Sequence, residues 1–329
     1  MILVSLILVI LAVLGAPLFA IIATSAMVGF HSSDNELMVI ALELMSIAQM
    51  PILTAIPLFT FAGYILSESN APQRLVRLTN AMFGWMPGGL ALVCLAACAF
   101  FTAFTGASGV TIIALGAILY PALKQDGYSD RFNLGLVTSS GSLGLLFAPS
   151  LPLILYGVVA EVSIDDLFRA GNLPGLTMLV MLAGYSIWVN RDNRKPVSAF
   201  SWREVGAALR EAIWELPLPI VVLGGIYSGF FAVSEAAAIT ALYVFIAEVV
   251  INREIALKDL PRITRDSMVL VGGILLILGV SLASTYYMID TEVPQKLLAL
   301  VAELVSSPTS FLVLLLIFLL ILGAILDIF

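Results

Sequence analysis

The chain has 329 residues, 61% hydrophobic and 11% charged, with a formal net charge of −7 at pH 7 and a mean hydropathy of +1.09. Soluble domains average about 45–50% apolar and about 25% charged residues, so a soluble fold is excluded and lipid is the solvent for most of this chain. The apolar runs are continuous and do not alternate, which excludes a transmembrane barrel, and no basic patch suits nucleic acid.

An all-α polytopic membrane protein is expected, and its elements can be taken in chain order. Run 1–30 has no basic start and is too long for a signal peptide, so it reads as a spanning helix. An acidic outer stretch follows at 31–43, where His31 reads as a solvated loop residue. Span 47–66 returns to Arg74 and Arg77. Segment 86–123 must leave and re-enter on one face, because Lys124 and Arg131 follow it. Its Cys94 and Cys98, four residues apart in an apolar run, read as small packing residues. Segment 132–160 crosses to Glu161, Asp165 and Asp166, and 170–189 returns to a basic connector at 190–216. Runs 217–231, 234–251 and 267–289 then cross in turn. With basic residues counted as cytoplasmic, the N-terminus lies inside, and 13 of 15 Lys and Arg fall there, leaving Arg169 and Lys296 outside.

A repeat underlies this path. Ala71-Pro72-Gln73-Arg74-Leu75 recurs as Val293-Pro294-Gln295-Lys296-Leu297, an offset of 222 (from 71 to 293), and the two copies fall on opposite faces. Equivalent segments on opposite faces form an inverted repeat, the arrangement that lets exchanged half-conformations alternate access to a site. The first repeat is then 1–189, with scaffold helices at 1–85, a re-entrant hairpin at 86–123, a broken helix at 132–160 and a return helix at 170–189. The second is 217–329, with scaffold helices at 217–306 and the first half of a second hairpin at 309–329.

Chemistry is expected at two interruptions. The first reads Phe104-Thr105-Gly106-Ala107-Ser108-Gly109-Val110-Thr111, small and hydroxyl-rich where a full crossing would be bulky. Bent backbone inside a membrane is tolerated where it is buried in protein or lines a cavity. It offers carbonyls and hydroxyls to a small cation, and the returning helix N-terminus favours a carboxylate. The alternative is a close helix contact through small residues. The second interruption, from Gly144 through Phe147, Pro149 and Ser150 to Pro152, loses amide donors at two prolines and should break its helix. Two interrupted segments in succession point to a transporter binding site. Of the intramembrane acids, Glu235 reads as a helix-start residue beside a capping Ser234, whereas Asp327 ends an apolar run and reads as functional. Moved back by the offset, Asp327 falls on Thr105, so a second bend is expected there and the sequence is expected to continue by roughly a hundred residues.

At these positions the sequence resembles the large membrane (M) subunit of the tripartite ATP-independent periplasmic (TRAP) transporters. The matching stretches include Ile56-Pro57-Leu58-Phe59, 104–116, 135–152, Gly171-Asn172-Leu173-Pro174-Gly175, 224–243 and 293–297. The resemblance implies an elevator-type secondary transporter of the bacterial inner membrane, driven by sodium and built from inverted repeats. A periplasmic binding protein would deliver a carboxylate-bearing organic acid, and a small four-helix membrane subunit would brace the scaffold. It also implies a sodium site formed by Thr105, Gly106, Ala107, Ser108, Gly144, Phe147 and Pro149, with Ser108, Ser150 and Asp327 toward substrate. Where the family tip often reads Ser-Gly-Ser, Ala107 supplies no side-chain ligand, which leaves backbone carbonyls or Ser108. Alternatives are a carboxylate symporter working without a binding protein and a non-transporting scaffold. An enzyme is disfavoured, with a single His and no close pairs of intramembrane acids.

Overall fold

The computed structural model describes residues 2–33, 37–86, 88–191, 200–305 and 307–325, and all regular structure among them is helical. In chain order the helices are α1 (Ile2–Val13), α2 (Leu18–Ser32), α3 (Met38–Ala48) and α4 (Ala55–Glu68), the last entered through a tight turn at Pro51–Thr54. Next come α5 (Ala71–Phe83), α6 (Gly89–Thr105), α7 (Ser108–Gln125), α8 (Asp130–Leu143), α9 (Leu151–Val159) and α10 (Ile164–Val189). The rest are α11 (Trp202–Glu211), α12 (Pro217–Tyr227), α13 (Val233–Phe245) with a π-turn at Ile246–Ile251, α14 (Leu260–Asp290), α15 (Val293–Leu304) and α16 (Pro308–Ile325). Among the described residues five stretches are long and apolar enough to cross a membrane: Pro51–Glu68, Ser108–Gln125, Ile164–Val189, Val233–Ile251 and Leu260–Asp290. The pair α8 and α9, bent by 51°, makes a sixth.

Several boundaries depart from the sequence reading; α14, for one, starts at Leu260 and not at 267. Run 1–30 is not one helix: Gly15 takes φ 85° and Pro17 restarts the chain, so α1 and α2 are separate. Helix α10 starts at Ile164 and not at 170, because the Ser163 hydroxyl accepts from the Asp166 amide at 3.3 Å and Asp165 and Asp166 face the helix dipole. His31 lies in the last turn of α2 and is exposed. The repeated motif opens α5 and α15 alike, each with its proline in the first turn, where a missing amide costs nothing.

One compact unit comprises Met1–Met50 and Gly272–Phe329. Its small core joins Ala26, Phe30, Ile40 and Ala283, with Tyr287 edge-on to Phe30 at 5.5 Å between centroids. Gly29 lies under that ring: a Cβ there would be 2.7 Å from Tyr287. The side chains of Val9, Ile10 and Val13 in α1 and of 311–321 in α16 are exposed and apolar, as lipid contact requires.

The other unit is Pro51–Val271. Helix α6 runs through its middle, with Val93, Cys94, Leu95, Ala97, Cys98 and Phe101 buried. Both cysteines are free, and Cys94 Sγ lies 3.6 Å from Ser140 Oγ, so they pack. The amphipathic α11 lays Ala208 and Ala212 on Leu78 and Ala81 of α5, and Arg77 pairs with Glu204 at 2.9 Å and with Glu211 at its rim.

Arg74 is buried on α5 and binds three carboxylates. Its Nε donates to Glu215 at 2.6 Å, its Nη2 donates to both oxygens of Glu248 at 3.2 and 3.1 Å, and its Nη1 reaches Glu254. Glu254 also accepts from the Asn70 amide at 2.7 Å, and Glu248 from Asn252 at 3.2 Å. Burial works against the charge on Arg74, but the carboxylates outweigh it and raise the guanidinium above its usual range. The sequence reading counted Glu235 and Asp327 as the intramembrane acids and missed Glu248, which is 1% exposed within Val233–Ile251. The π-turn there carries Glu248 close to the arginine.

Candidate functional site

The first interruption is a two-residue turn. Helix α6 ends at Thr105, Gly106 takes the left-handed conformation at φ 66°, Ala107 is extended, and α7 starts at Ser108. A side chain at Gly106 would be strained by its φ and would meet Leu151 of α9 at 2.5 Å. On another side, a Cβ at Gly63 of α4 would sit 2.6 Å from the Thr105 Cα. The turn is therefore enclosed by protein, the condition under which irregular backbone survives in a membrane.

The second interruption is the break between α8 and α9. The α-helix gives way at Gly144 to a tight turn, Gly144–Leu146, then extended backbone at Phe147, a cis peptide between Ala148 and Pro149, and Ser150 at the N-cap of α9. Gly144 is pressed against the Thr102 side chain and the Ala99 carbonyl. On the far side, Gly171 and Gly175 of α10 make room for Leu146 and Phe147: a Cβ at Gly175 would be 2.9 Å from the Phe147 ring.

Between these features lies a buried set of hydroxyls. Thr102, Thr105 and Thr111 are each at most 1% exposed. The Thr102 hydroxyl has the Cys98 carbonyl of its own helix within reach at 2.8 Å and lies 2.9 Å from both Thr111 Oγ1 and the Gly141 carbonyl, and Thr105 and Thr111 lie 3.0 Å apart. The Ala107 carbonyl accepts from Thr111 at 3.4 Å and from Thr105 at 3.5 Å. Ser150 is fully buried and its hydroxyl has no partner among the described residues, an arrangement that costs about 1–3 kcal/mol unless something else binds there.

The structure thus brings the tip and the break together through Gly106 on Leu151, the neighbour of Ser150, and through Gly141, whose Cβ would lie 3.5 Å from the Ser108 carbonyl. Ser108 is half-buried at the α7 N-terminus, and Pro149 is buried. Asp327 lies outside the described residues. Sequence reasoning missed Thr102 and did not single out Thr111. Their signal was present: each hydroxyl is four residues from the turn, Thr102 before Gly106 and Thr111 after Ala107, so helical spacing aims both at it. Glu235 has the structural role expected, with a different cap. Its carboxylate accepts from the Ala232 amide at 3.0 Å, so α13 starts one residue before Ser234.

A family model described as "Tripartite ATP-independent periplasmic transporter, DctM component" matches residues 2–329. The chain belongs to this family. It is a large permease subunit of a TRAP transporter, and so a transporter component and not an enzyme. Among the similar proteins is the ectoine TRAP transporter large permease protein TeaC of Halomonas elongata, 32% identical over 92% of this chain and 72% of its own length. The C4-dicarboxylate TRAP transporter large permease protein DctM of Pseudomonas aeruginosa is 33% identical over 88% of this chain and 68% of its own. The isethionate TRAP transporter permease protein DctMQ of Oleidesulfovibrio alaskensis is 37% identical over 64% of this chain and 33% of its own.

Proposed function

We propose that this permease subunit imports a carboxylate-bearing organic acid in symport with sodium, by an elevator movement, in the bacterial inner membrane with its N-terminus in the cytoplasm. A periplasmic binding protein delivers the substrate and a small four-helix membrane subunit completes the transporter. The observation that carries this reading is the unpartnered, fully buried Ser150 hydroxyl at a helix break packed against the hydroxyl-lined turn at Thr105–Ala107.

Neutral oxygens in a dry site suit a monovalent cation, which sheds water only where hard oxygen donors replace it. The Thr105 hydroxyl, the Ala107 carbonyl and the Ser150 hydroxyl are such donors. Positive ends of α7 and α9 favour the substrate carboxylate nearby, so anion and cation each lower the cost of burying the other. Ser108, at the start of α7, would orient that carboxylate. The relatives carry different substrates in their names, which agrees with a scheme in which the binding protein does the selecting. The fusion implied by the name DctMQ agrees with a permease that works beside a second membrane subunit.

The test is uptake of radiolabelled organic acids into proteoliposomes holding the permease and its small subunit, with sodium and binding protein each present or absent. Uptake is expected only when both are supplied. Uptake with sodium alone would replace this reading by a symporter independent of the binding protein, and sodium-independent uptake would remove the cation site.

A further inference from the structure

Away from the turn and the break, a crevice of about 210 Å³ opens between the first turns of α8 and the last turns of α10. Small-molecule pockets typically span about 300–1,000 Å³, so this one is of headgroup size. Its wall includes Arg131 and Gly135 on α8 and Leu182, Tyr185 and Ser186 on α10.

Ser186 is 1% exposed and its hydroxyl has no partner among the described residues. This is unusual for its neighbourhood. The buried Ser140 of α8 and its exposed neighbours Thr138, Ser139 and Ser142 each return a hydrogen bond to a carbonyl of their own helix, the ordinary way a helix satisfies a hydroxyl. Ser186 does not, and so keeps a donor for the crevice. Arg131 is exposed at the mouth and enters no ion pair among the described residues. The adjacent acid, Asp130, is already engaged by Lys124 at 3.2 Å and Tyr120 at 3.1 Å. A Cβ at Gly135 would meet nothing within 4 Å, so the crevice has no plug on that side. Along α10 from this point, on the side that carries Tyr185, Met178 and Met181 are exposed and apolar.

We propose that this crevice binds the headgroup of an anionic phospholipid from the leaflet in which Arg131 lies. The phosphate sits on the Arg131 guanidinium, whose planar fork matches two phosphate oxygens. Ser186 donates to the phosphate or to the first glycerol ester, and the acyl chains run down the apolar face of α10. Basic pockets between spanning helices recognise lipid headgroups in this way.

Native mass spectrometry of the whole chain, exchanged into micelles containing phosphatidylglycerol and phosphatidylcholine, tests the site. Wild type should retain phosphatidylglycerol preferentially. Arg131→Gln and Ser186→Ala should each reduce retention by about tenfold, the loss of one charge-assisted hydrogen bond, the crevice-filling Gly135→Leu should reduce it by excluding the headgroup, and Arg131→Lys should keep part of it. Arg131 is exposed and enters no ion pair among the described residues, so its variants should elute and melt like wild type, and the binding readout stands on its own. Equal retention in wild type and Arg131→Gln, or no preference between the two lipids, overturns the proposal. Displacement of the lipid by millimolar inorganic phosphate would also overturn it, assigning the crevice to a free anion.

Discussion

Arg74 Nε donates to Glu215 at 2.6 Å, joining residues 141 positions apart in the chain. The bond ties the first turn of α5 to a residue two positions before the proline that opens α12, and Glu248 and Glu254 share the same guanidinium. One cation therefore holds three acidic side chains from separate segments. Removing one partner of a buried pair leaves an uncompensated charge and costs about 3–5 kcal/mol. Arg74→Gln should therefore lower the thermal midpoint sharply in detergent, or prevent accumulation of folded protein. Adding Glu248→Gln to Arg74→Gln should recover part of the loss, and a double variant no better than the single would show that the carboxylates are not what the arginine neutralises.

The same cluster predicts a pH dependence. Burial pushes the Glu254 carboxyl up, but the Asn70 amide and the Arg74 guanidinium outweigh it and hold it below its usual range. A depressed folded-state value means the native state binds the proton less readily than the unfolded chain. The resulting stabilisation is complete above the ordinary carboxylate range and is lost as pH falls through the lower, folded-state value. Thermal melts from pH 6 to pH 3 should show Glu254→Gln losing less stability than wild type over the acid half of that interval. Parallel curves would refute this assignment.

Glycines separate packing from space. Gly144 is pressed on the Thr102 side chain and the Ala99 carbonyl, whereas a Cβ at Gly109 would meet nothing within 4 Å. Overpacking costs about 1–3 kcal/mol, so Gly144→Ala should lower the melting temperature and abolish uptake. Gly109→Ala should leave stability and uptake close to wild type. Uptake assays on the two variants, with melting curves as control, decide it.

The threonine set predicts a sodium phenotype. Thr105→Val and Thr111→Val keep shape but delete hydroxyls 3.0 Å apart, costing about 1 kcal/mol each in stability. Both should raise the sodium concentration for half-maximal uptake severalfold. Thr138→Val removes only bonds to the Leu134 and Gly135 carbonyls of its own helix on an exposed face and should not. An identical sodium response in all three would remove the turn from the cation site.

Glu235 gives a modest, purely structural prediction. Its bond to the Ala232 amide satisfies one orphan donor of α13, a contribution of about 0.5–1 kcal/mol. Glu235→Ala should lower the melting temperature slightly with sodium dependence unchanged, and a shifted sodium response would promote Glu235 to a functional acid.

The sequence by itself determined the solvent, the helical class and the positions of both interruptions, because each rests on local chemistry. Excess apolar surface demands lipid, glycine and proline at Gly106 and Pro149 forbid continuous helix, and the motif at 71–75 and 293–297 starts a helix wherever it occurs. It also located Glu235 as a helix-start residue, missing only which residue precedes the helix. What it could not determine are relations between residues far apart in the chain. Glu248 looked like part of an apolar run until a π-turn and Arg74 gave it a partner, and Thr102 looked like packing until the fold set it against Thr111 and the Gly141 carbonyl. Whether Ser150 or Ser186 keeps a free hydroxyl is likewise decided by which neighbours the helices bring within reach. Propensity and hydropathy act over a few residues, whereas hydrogen-bond satisfaction in a buried site depends on every element packed around it.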